Sequence, residues 1–282
     1  MERLQRKERV AAILKVLSDN PDKVYSLGYF SEMFKAARST LSEDISIVKK
    51  VAESLGCGTV ETISGAAGGV KYTQSLPAEE KNALILNLCN MLRDPGRIIP
   101  GGFLYMNDII CSPEISNKIG ILLAEKLRPN NPECVITVET KGIPIAMMTA
   151  RYLNVPLVIV RRNNKVTEGS TVSINYLSGS SKRLQTMSLS KRSVKKGTRC
   201  VFVDDFMKAG GTANGIEELM KEFESEVVGI GVLIESTAHC KRLVHNYVSL
   251  MKLESIDEEK GEVIINPTEN ADTCGNNNKE YM

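Results

Sequence analysis

The sequence lacks tryptophan altogether, and only 5% of its 282 residues are aromatic. It has no apolar run near the ~20 residues that cross a bilayer, and its opening residues, MERLQRKERV, are too charged for a signal peptide. These absences argue against a membrane or secreted protein and favour a cytoplasmic one. With 42% hydrophobic residues, the chain can still bury one large core or two smaller ones.

Histidine and paired cysteine are scarce as well. The two histidines are His239 and His245. The seven cysteines are Cys57, Cys89, Cys111, Cys134, Cys200, Cys240 and Cys274, and no two form a C-x-x-C pair. Zinc and redox-active sites usually need such pairs or several histidines. We therefore expect free, mostly buried thiols and no histidine-based metal site.

A large excess of one charge is also missing, since the formal net charge is only +2. Residues 1–74 hold 11 Lys and Arg against 9 Asp and Glu, which leaves 25 of each sign in the rest of the chain. The small positive excess therefore belongs to the N-terminal segment. It is compatible with a nucleic-acid surface without demonstrating one, because binding follows local patches.

The first 74 residues change from helical to strand periodicity. Apolar spacing predicts three helices: one over 4–17, a second that begins after a cap at Ser26, and a third from Thr40 to Gly56. Thr40 and Glu43 would form a capping box at the start of the third helix. TVETIS and VKYTQS then alternate on either side of GAAGG, which predicts a β-hairpin. This order of elements is that of a winged helix-turn-helix.

In a winged helix, the third helix enters the major groove of DNA. The residues expected to contact DNA are Arg38, Ser39 and Thr40 at its start, with Lys49, Lys50 and Lys71 on backbone phosphates. The same order of elements also suits a dimerisation or docking module. The pattern alone leaves both functions open.

From Leu76 onward, continuous apolar runs dominate. CVITVE, PLVIVR, RCVFVDD and VVGIGVLIE are rich in β-branched residues, which predicts an α/β domain with a parallel, doubly wound sheet. We place a winged-helix domain at 1–74, an α/β domain at 75–267 and a disordered tail at 268–282. The long basic connection 162–198 has a length typical of either a functional or a disordered loop, and STVSINYL and RLQTMSL within it predict a hairpin.

The segment VFVDDFMKAGGT ends a predicted strand with an acidic pair and a glycine turn. Asp204 and Asp205 lie where open α/β sheets bind ligands, and two carboxylates suit the vicinal hydroxyls of a ribose, directly or through Mg²⁺. The turn from Lys208 to Thr212 opens a helix, whose unpaired N–H groups suit a phosphate. The segment therefore predicts a sugar-phosphate site, although an acidic pair can also merely cap a helix.

This segment closely resembles the 5-phosphoribosyl-1-pyrophosphate (PRPP) motif of type I phosphoribosyltransferases, and CVITVETKGIPIA resembles their pyrophosphate loop. The resemblance implies a type I phosphoribosyltransferase fold and PRPP contacts from Glu139, Thr140, Lys141, Gly142, Asp204, Asp205, Phe206, Lys208, Ala209, Gly210, Gly211 and Thr212. Mg²⁺ would bind through PRPP at Asp204 and Asp205. Tyr105 and Phe206 would form a wall for a base, and 162–198 is similar to the flexible loop of adenine and xanthine phosphoribosyltransferases.

Two features depart from that family. Ala209 occupies the position before the first glycine of the turn, where the family usually has threonine, and the hood that encloses a purine is not recognisable. Both departures weigh against catalysis. Two alternatives nevertheless stay open, an active purine phosphoribosyltransferase with an accessory N-terminal domain and a PRPP-dependent RNA-binding regulator.

The winged-helix order followed by DDFMKAGGT resembles the purine operon repressors of Gram-positive bacteria over essentially the whole chain. The resemblance implies a non-catalytic homodimer that binds double-stranded operator DNA and represses purine synthesis genes. PRPP would act as an inducer that weakens DNA binding, with no other cofactor required. Purine nucleotides such as guanosine tetraphosphate (ppGpp) would compete for the same pocket.

Overall fold

The computed structural model describes residues 4–65, 68–162, 169–177, 184–237 and 242–268. The helices are α1 (Arg6–Asp19), α2 (Leu27–Phe34), α3 (Arg38–Leu55), α4 (Ala78–Leu92), α5 (Asn107–Ile110), α6 (Pro113–Leu127), α7 (Ile143–Leu153) and α8 (Gly211–Glu222). The strands are β1 (Gly58–Ile63), β2 (Gly69–Gln74), β3 (Ile98–Ile99), β4 (Phe103–Leu104), β5 (Cys134–Val138), β6 (Leu157–Val160), β7 (Thr171–Leu177), β8 (Leu184–Ser190), β9 (Arg199–Met207), β10 (Glu226–Ser236), β11 (Tyr247–Asp257) and β12 (Glu262–Pro267). The predictions for His239, Cys240, Cys274 and the tail from 269 lie outside the described residues.

The N-terminal part, which we call the winged-helix region, contains α1 to α3 and the antiparallel pair β1 and β2. Its core centres on Phe30, which is fully buried and stacks on Phe34 with ring centroids 6.0 Å apart. Ile13 and Leu41 close the same core from α1 and α3. Helical spacing of apolar residues thus brings the three helices together, as the sequence predicts.

The predicted start of α3 at a Thr40 capping box is wrong. The Leu41 amide donates to the Ala37 carbonyl at 3.1 Å, so the helix already includes Arg38, and Ala37 provides no side-chain cap. The side chain of Glu43 instead lies 3.3 Å from the Arg6 guanidinium of α1. A reciprocal capping box does occur, but at the start of α1.

The rest of the chain, which we call the α/β region, contains a six-stranded sheet in the order β12-β11-β10-β9-β5-β6. All neighbours are parallel except β12, which runs antiparallel to β11. Alternate residues of β9 face opposite sides of the sheet. Val201 and Val203 pack in the cluster that includes α6 and α7, whereas Phe202 packs in the cluster with α8. The sheet is therefore covered by helices on both faces, as a doubly wound fold requires.

The last two strands were not predicted from the sequence. β11 pairs with β10 in a register that places Tyr247 opposite Ile230, and β12 forms the edge. Polar residues such as Lys252 and Glu254 interrupt the apolar run of β11. The segment therefore lacks the continuous hydrophobic pattern that identifies β5, β6, β9 and β10.

The hairpin predicted within 162–198 is present. β7 and β8 pair antiparallel from Thr171 opposite Ser190 to Leu177 opposite Leu184. An isolated bridge between Arg161 and Ser188 attaches this hairpin to the end of β6. The hairpin therefore starts at the sheet edge; residues 163–168 and 178–183 of the connection lie outside the described residues.

An ion-pair cluster joins the two regions. The Asp22 carboxylate accepts hydrogen bonds from Arg128 Nε at 2.7 Å and Thr73 Oγ1 at 3.0 Å, and Lys71 Nζ lies 3.4 Å away. Arg128 also donates to the carbonyl of Tyr152 at 3.0 Å. The cluster thus connects the winged-helix region to the C-terminal ends of α6 and α7.

The described cysteines are free thiols, three of them buried, namely Cys89, Cys134 and Cys200. Within the described ranges, no three His, Cys, Asp or Glu side chains are grouped to hold a metal ion. Across that same part of the chain, no helix is both long and apolar enough to cross a membrane.

Candidate functional site

A cavity of about 670 Å³ opens at the carboxyl ends of β5 and β9. β5 connects to β6 on one side and pairs with β9 on the other, so the strand order reverses at this point. Ligands bind at such reversals because two neighbouring loops diverge and leave a crevice. The predicted site residues that line it are Glu139, Thr140, Lys141, Asp204, Asp205, Phe206, Lys208, Ala209, Gly210, Gly211 and Thr212.

The acidic pair lies at the end of β9, half-buried in the cavity wall. The Asp205 amide donates to Asp204 Oδ1 at 3.0 Å. Burial, and next the neighbouring charge of Asp205, raise the pKa of Asp204 well above its ordinary value. A cation or hydroxyl donors at this carboxylate would favour its ionised form, so the pair fits both a ribose and a magnesium ion.

The glycine turn follows at the start of α8. Gly210 has a φ of 85°, a left-handed conformation that favours glycine, and is the N-cap residue of the helix. The first helical bond there runs from the Asn214 amide to the Gly210 carbonyl. The amides of the first turn have no helical acceptor, an arrangement that suits an anion.

The loop between β5 and α7 faces this turn across the cavity. Lys141 is exposed, while Glu139 accepts from the Arg162 amide at 2.7 Å and from Arg161 Nη1 at 3.2 Å. Arg162 itself lines the cavity. The exposed cations Lys141, from the loop, and Arg162, from the residues after β6, therefore lie beside an acidic side chain that is already engaged.

Gly142 does not line the cavity but lies directly behind it. A Cβ there would come within 2.6 Å of Thr137 Oγ1 and 2.7 Å of Asp204 Oδ1. The position requires glycine because of this close approach. Gly142 thus allows the β5–α7 loop to pack against the acidic pair.

An apolar wall completes the cavity, and sequence reasoning missed most of it. Phe103, Leu104 and Met106 come from β4 and the residues after it, and Leu253 and Ile256 come from β11. The predicted wall residue Tyr105 is 46% exposed and does not line the cavity, although Phe206 does. The Tyr105 amide bonds to the Arg97 carbonyl.

Phe103 also contacts the glycine turn. Lys208 Nζ lies 4.9 Å from the centroid of the Phe103 ring, a cation–π distance. Gln185 of β8 lines the cavity as well. Two indirect features of the sequence point to these residues. A Gly101-Gly102 turn precedes Phe103, and the predicted hairpin includes Gln185.

The predicted DNA-contacting residues divide into two groups. Arg38 and Ser39 are exposed and Thr40 half-buried in the first turn of α3, and Lys50 is exposed farther along the helix. Two lysines have acidic neighbours: Lys49 Nζ lies 3.9 Å from Glu53, and Lys71 Nζ lies near Asp22 and 3.8 Å from Glu61. The start of α3 therefore presents the groups expected of a recognition helix, and the DNA contacts of all six residues stay a prediction.

Each of the two regions matches a known protein family. Residues 5–74 match the family described as bacterial purine repressor, N-terminal, and residues 108–264 match the phosphoribosyl transferase domain. Fold and cavity together define a phosphoribosyltransferase-fold protein with an N-terminal DNA-binding winged helix.

Three relatives are similar over nearly their whole length. The chain is 46% identical to the purine biosynthesis transcriptional repressor PurR of Bacillus subtilis, covering 93% of this chain and 92% of that one. It is 42% identical to a probable purine biosynthesis transcriptional regulator PurR of Streptococcus pneumoniae, over 90% and 93%. It is 40% identical to the purine biosynthesis transcriptional activator PurR of Lactococcus lactis, over 90% and 94%. The chain belongs to this bacterial purine repressor family.

Solved structures resemble the α/β region. An adenine phosphoribosyltransferase from Thermoanaerobacter pseudethanolicus superposes with a TM-score of 0.52 at 23% identity, covering 59% of this chain and 99% of that one. The enzyme of the same name from Rhodothermus marinus gives 0.52 at 23% identity, over 61% and 100%. At this identity the likeness shows the phosphoribosyltransferase fold alone.

Proposed function

We propose that the protein is a DNA-binding repressor of purine biosynthesis genes whose phosphoribosyltransferase-like region binds PRPP as an effector. The observation that carries this proposal is the meeting of the acidic pair, the glycine turn and the β5–α7 loop in one cavity. The chain's full-length relatives are named as transcriptional regulators, which supports an effector site over an active site.

Each part of PRPP has a matching group in the cavity. The turn from Lys208 to Thr212 would take the 5′-phosphate, and Asp204 with Asp205 would take the ribose hydroxyls. Lys141 and the neighbouring amides would take the pyrophosphate. A cavity of about 670 Å³ lies within the range of small-molecule sites.

Asp204 and Asp205 would also hold a magnesium ion with PRPP. The fit rests on the donor set, two adjacent carboxylates that line the cavity, where burial and the charge of Asp205 raise the pKa of Asp204. Magnesium prefers carboxylate oxygens together with substrate phosphates. When bound, the ion would neutralise charge between the acidic pair and the pyrophosphate.

The effector role also rests on what the turn lacks. Ala209 provides no hydroxyl to a phosphate, and PRPP would be bound without being consumed. The apolar wall with Phe103 and Phe206 suits a purine ring, so ppGpp and other purine nucleotides would compete with PRPP.

PRPP would weaken DNA binding, and by linkage DNA would weaken PRPP binding by the same factor. A single winged-helix region with a charge excess of +2 offers few phosphate contacts. A homodimer would double them and would match a two-fold symmetric operator.

The test is fluorescence anisotropy of a labelled DNA fragment from upstream of purine synthesis genes. Protein is titrated first, then PRPP with Mg²⁺. We expect the protein to bind the fragment and PRPP to release it. Ribose 5-phosphate in place of PRPP and scrambled DNA in place of the fragment are the two controls.

Two results would contradict the proposal. DNA binding that ignores PRPP would remove its effector role. Release of pyrophosphate when PRPP is supplied with a purine base would show an active transferase, the alternative with which the retained acidic pair and glycine turn are also compatible.

A further inference from the structure

The segment Arg242–Val244 lies against the outer side of the glycine turn. Arg242 Nη1 donates to the Lys208 carbonyl, and the Leu243 amide donates to the Ala209 carbonyl at 2.9 Å. The buried Val244 packs so closely on Gly210 that a Cβ on the glycine would lie 2.9 Å from Val244 Cγ2. Three successive residues thus contact three successive residues of the turn.

Arg242 is itself held by a buried carboxylate. Glu235, at the end of β10, is 8% exposed. It accepts from Arg242 Nη2 at 2.6 Å, from Tyr247 Oη at 2.8 Å and from Ser249 Oγ at 2.8 Å. A buried carboxylate is costly unless it is paired and hydrogen-bonded. These bonds therefore fix Glu235, and Glu235 fixes one side of the guanidinium.

The guanidinium bridges the sheet to the turn. Its planar fork can donate from two nitrogens in fixed relative directions, which a lysine cannot do. Here one nitrogen donates to Glu235 and the other to the Lys208 carbonyl. In β10, Glu235 lies opposite Met207, the residue before Lys208. The turn is thus tied to two neighbouring strands rather than to β9 alone.

We propose that Arg242, held by Glu235, is a positioning residue that keeps the 208–212 turn in its phosphate-binding conformation. It touches no ligand; it acts through the backbone of Lys208. This inference rests on the proposed function, since it assigns the turn to the 5′-phosphate. Glu139 of the β5–α7 loop bonds to Arg161 and Arg162, which lie outside this network, so the pyrophosphate half should not depend on Arg242.

Calorimetric titrations with two probes, each with Mg²⁺, separate the two halves. The Arg242→Met variant should bind ribose 5-phosphate about tenfold more weakly, the loss expected of one charge-assisted hydrogen bond. Its affinity for inorganic pyrophosphate should stay within about twofold of wild type. Tyr247→Phe is the matched control, because it also removes one bond to Glu235 but leaves the turn tied; neither affinity should change.

Arg242→Lys distinguishes two roles of Arg242, which are holding the turn and neutralising the charge of Glu235. Lysine keeps the charge near Glu235 but cannot bridge both acceptors, so we expect it to bind ribose 5-phosphate nearly as poorly as Arg242→Met. Full recovery with lysine would overturn the proposal, as would equal losses for both probes. If a thermal scan shows that Arg242→Met does not fold, the titrations with the two probes are made with Arg242→Lys and Val244→Ala instead.

The controls also distinguish the two proposals. Wild-type protein that binds neither the two probes nor PRPP would remove the proposed function and this inference together. Wild-type protein that binds PRPP, with Arg242→Met unchanged toward ribose 5-phosphate, would remove only the role of Arg242.

Discussion

The winged-helix region and the α/β region support their functional groups in different ways. In the α/β region, the acidic pair is half-buried, and Gly142 and Gly210 are confined by atoms within 3 Å of where a side chain would begin. In the winged-helix region, Arg38, Ser39 and Lys50 are exposed on α3. Substitutions in the pocket should therefore have non-additive effects on ligand binding, whereas substitutions on the DNA surface should have independent effects on DNA binding.

The largest effect is expected from removing the core of one region while sparing the other. Phe30→Ala deletes a fully buried ring and should cost the winged-helix region about 3–5 kcal/mol. DNA binding should disappear, while calorimetry should still detect PRPP binding. Loss of both functions would show that the two regions unfold together, and Leu55→Ala, which alters an exposed side chain of α3, is the control.

Asp204→Asn should separate affinity from stability. Losing the carboxylate removes charge-assisted contacts worth about 1.5–3 kcal/mol, so PRPP should bind roughly 10- to 100-fold more weakly. Operator affinity without PRPP should be unchanged, as measured by anisotropy. An equal loss of DNA affinity would indicate that the substitution disturbs the fold.

The same variant carries a pH dependence. Because the pKa of Asp204 is raised in the folded protein, wild-type stability falls as the pH rises from the ordinary aspartate range through that raised pKa. Asparagine does not ionise and escapes this loss. In thermal unfolding at several pH values, the stability of the variant relative to wild type should increase as the pH rises. A stability difference that does not change with pH would contradict the buried-charge explanation.

Gly142→Ala tests the packing behind the acidic pair. The added methyl group must displace Asp204 or Thr137, and such overpacking typically costs about 1–3 kcal/mol. We expect weaker PRPP binding and a lower Tm, with DNA binding retained below the transition. Gly28→Ala is the control, because a Cβ built there meets only Ser26 Oγ at 3.5 Å, an ordinary van der Waals contact, and Gly28 does not have a left-handed backbone.

The smallest effect is expected on the DNA surface. If Lys50 contacts one phosphate, Lys50→Gln should lower the slope of log affinity against log salt by about 0.9. Lys71→Gln should lower it less, since Lys71 lies near Asp22 and Glu61. An unchanged slope for Lys50→Gln would move the phosphate contacts elsewhere on the region.

The same contrast explains what the sequence could predict. Asp204 to Thr212 are contiguous, and their chemistry depends on backbone and residue type, so a short motif identifies the site. The apolar wall joins Phe103 to Leu253 and Ile256, about 150 residues apart in the chain, and only the strand order brings them together. Arg242 and Glu235 were invisible for the same reason.

At the level of elements, continuous apolar runs identified β5, β6, β9 and β10, and helical spacing identified α1 to α3. β11 was missed because Lys252 and Glu254 interrupt its pattern. The start of α3 was misplaced because Thr40 and Glu43 have the residue types of a cap, while the Ala37 carbonyl already accepts the first helical bond. Local motifs thus compete with neighbouring backbone geometry, and only the latter decides where a helix begins.

The Asp22–Arg128 pair has a consequence for exchanging parts between proteins. Asp22 adopts a left-handed conformation, with a φ of 61°, and its carboxylate serves Thr73 within the hairpin as well as Arg128 across the boundary. A chimera that replaces the first 74 residues with another winged helix would leave Arg128 without its acceptor. Grafting should therefore succeed best when the replacement winged helix has an aspartate in the loop after α1, a single residue on which transfer of the α/β region depends.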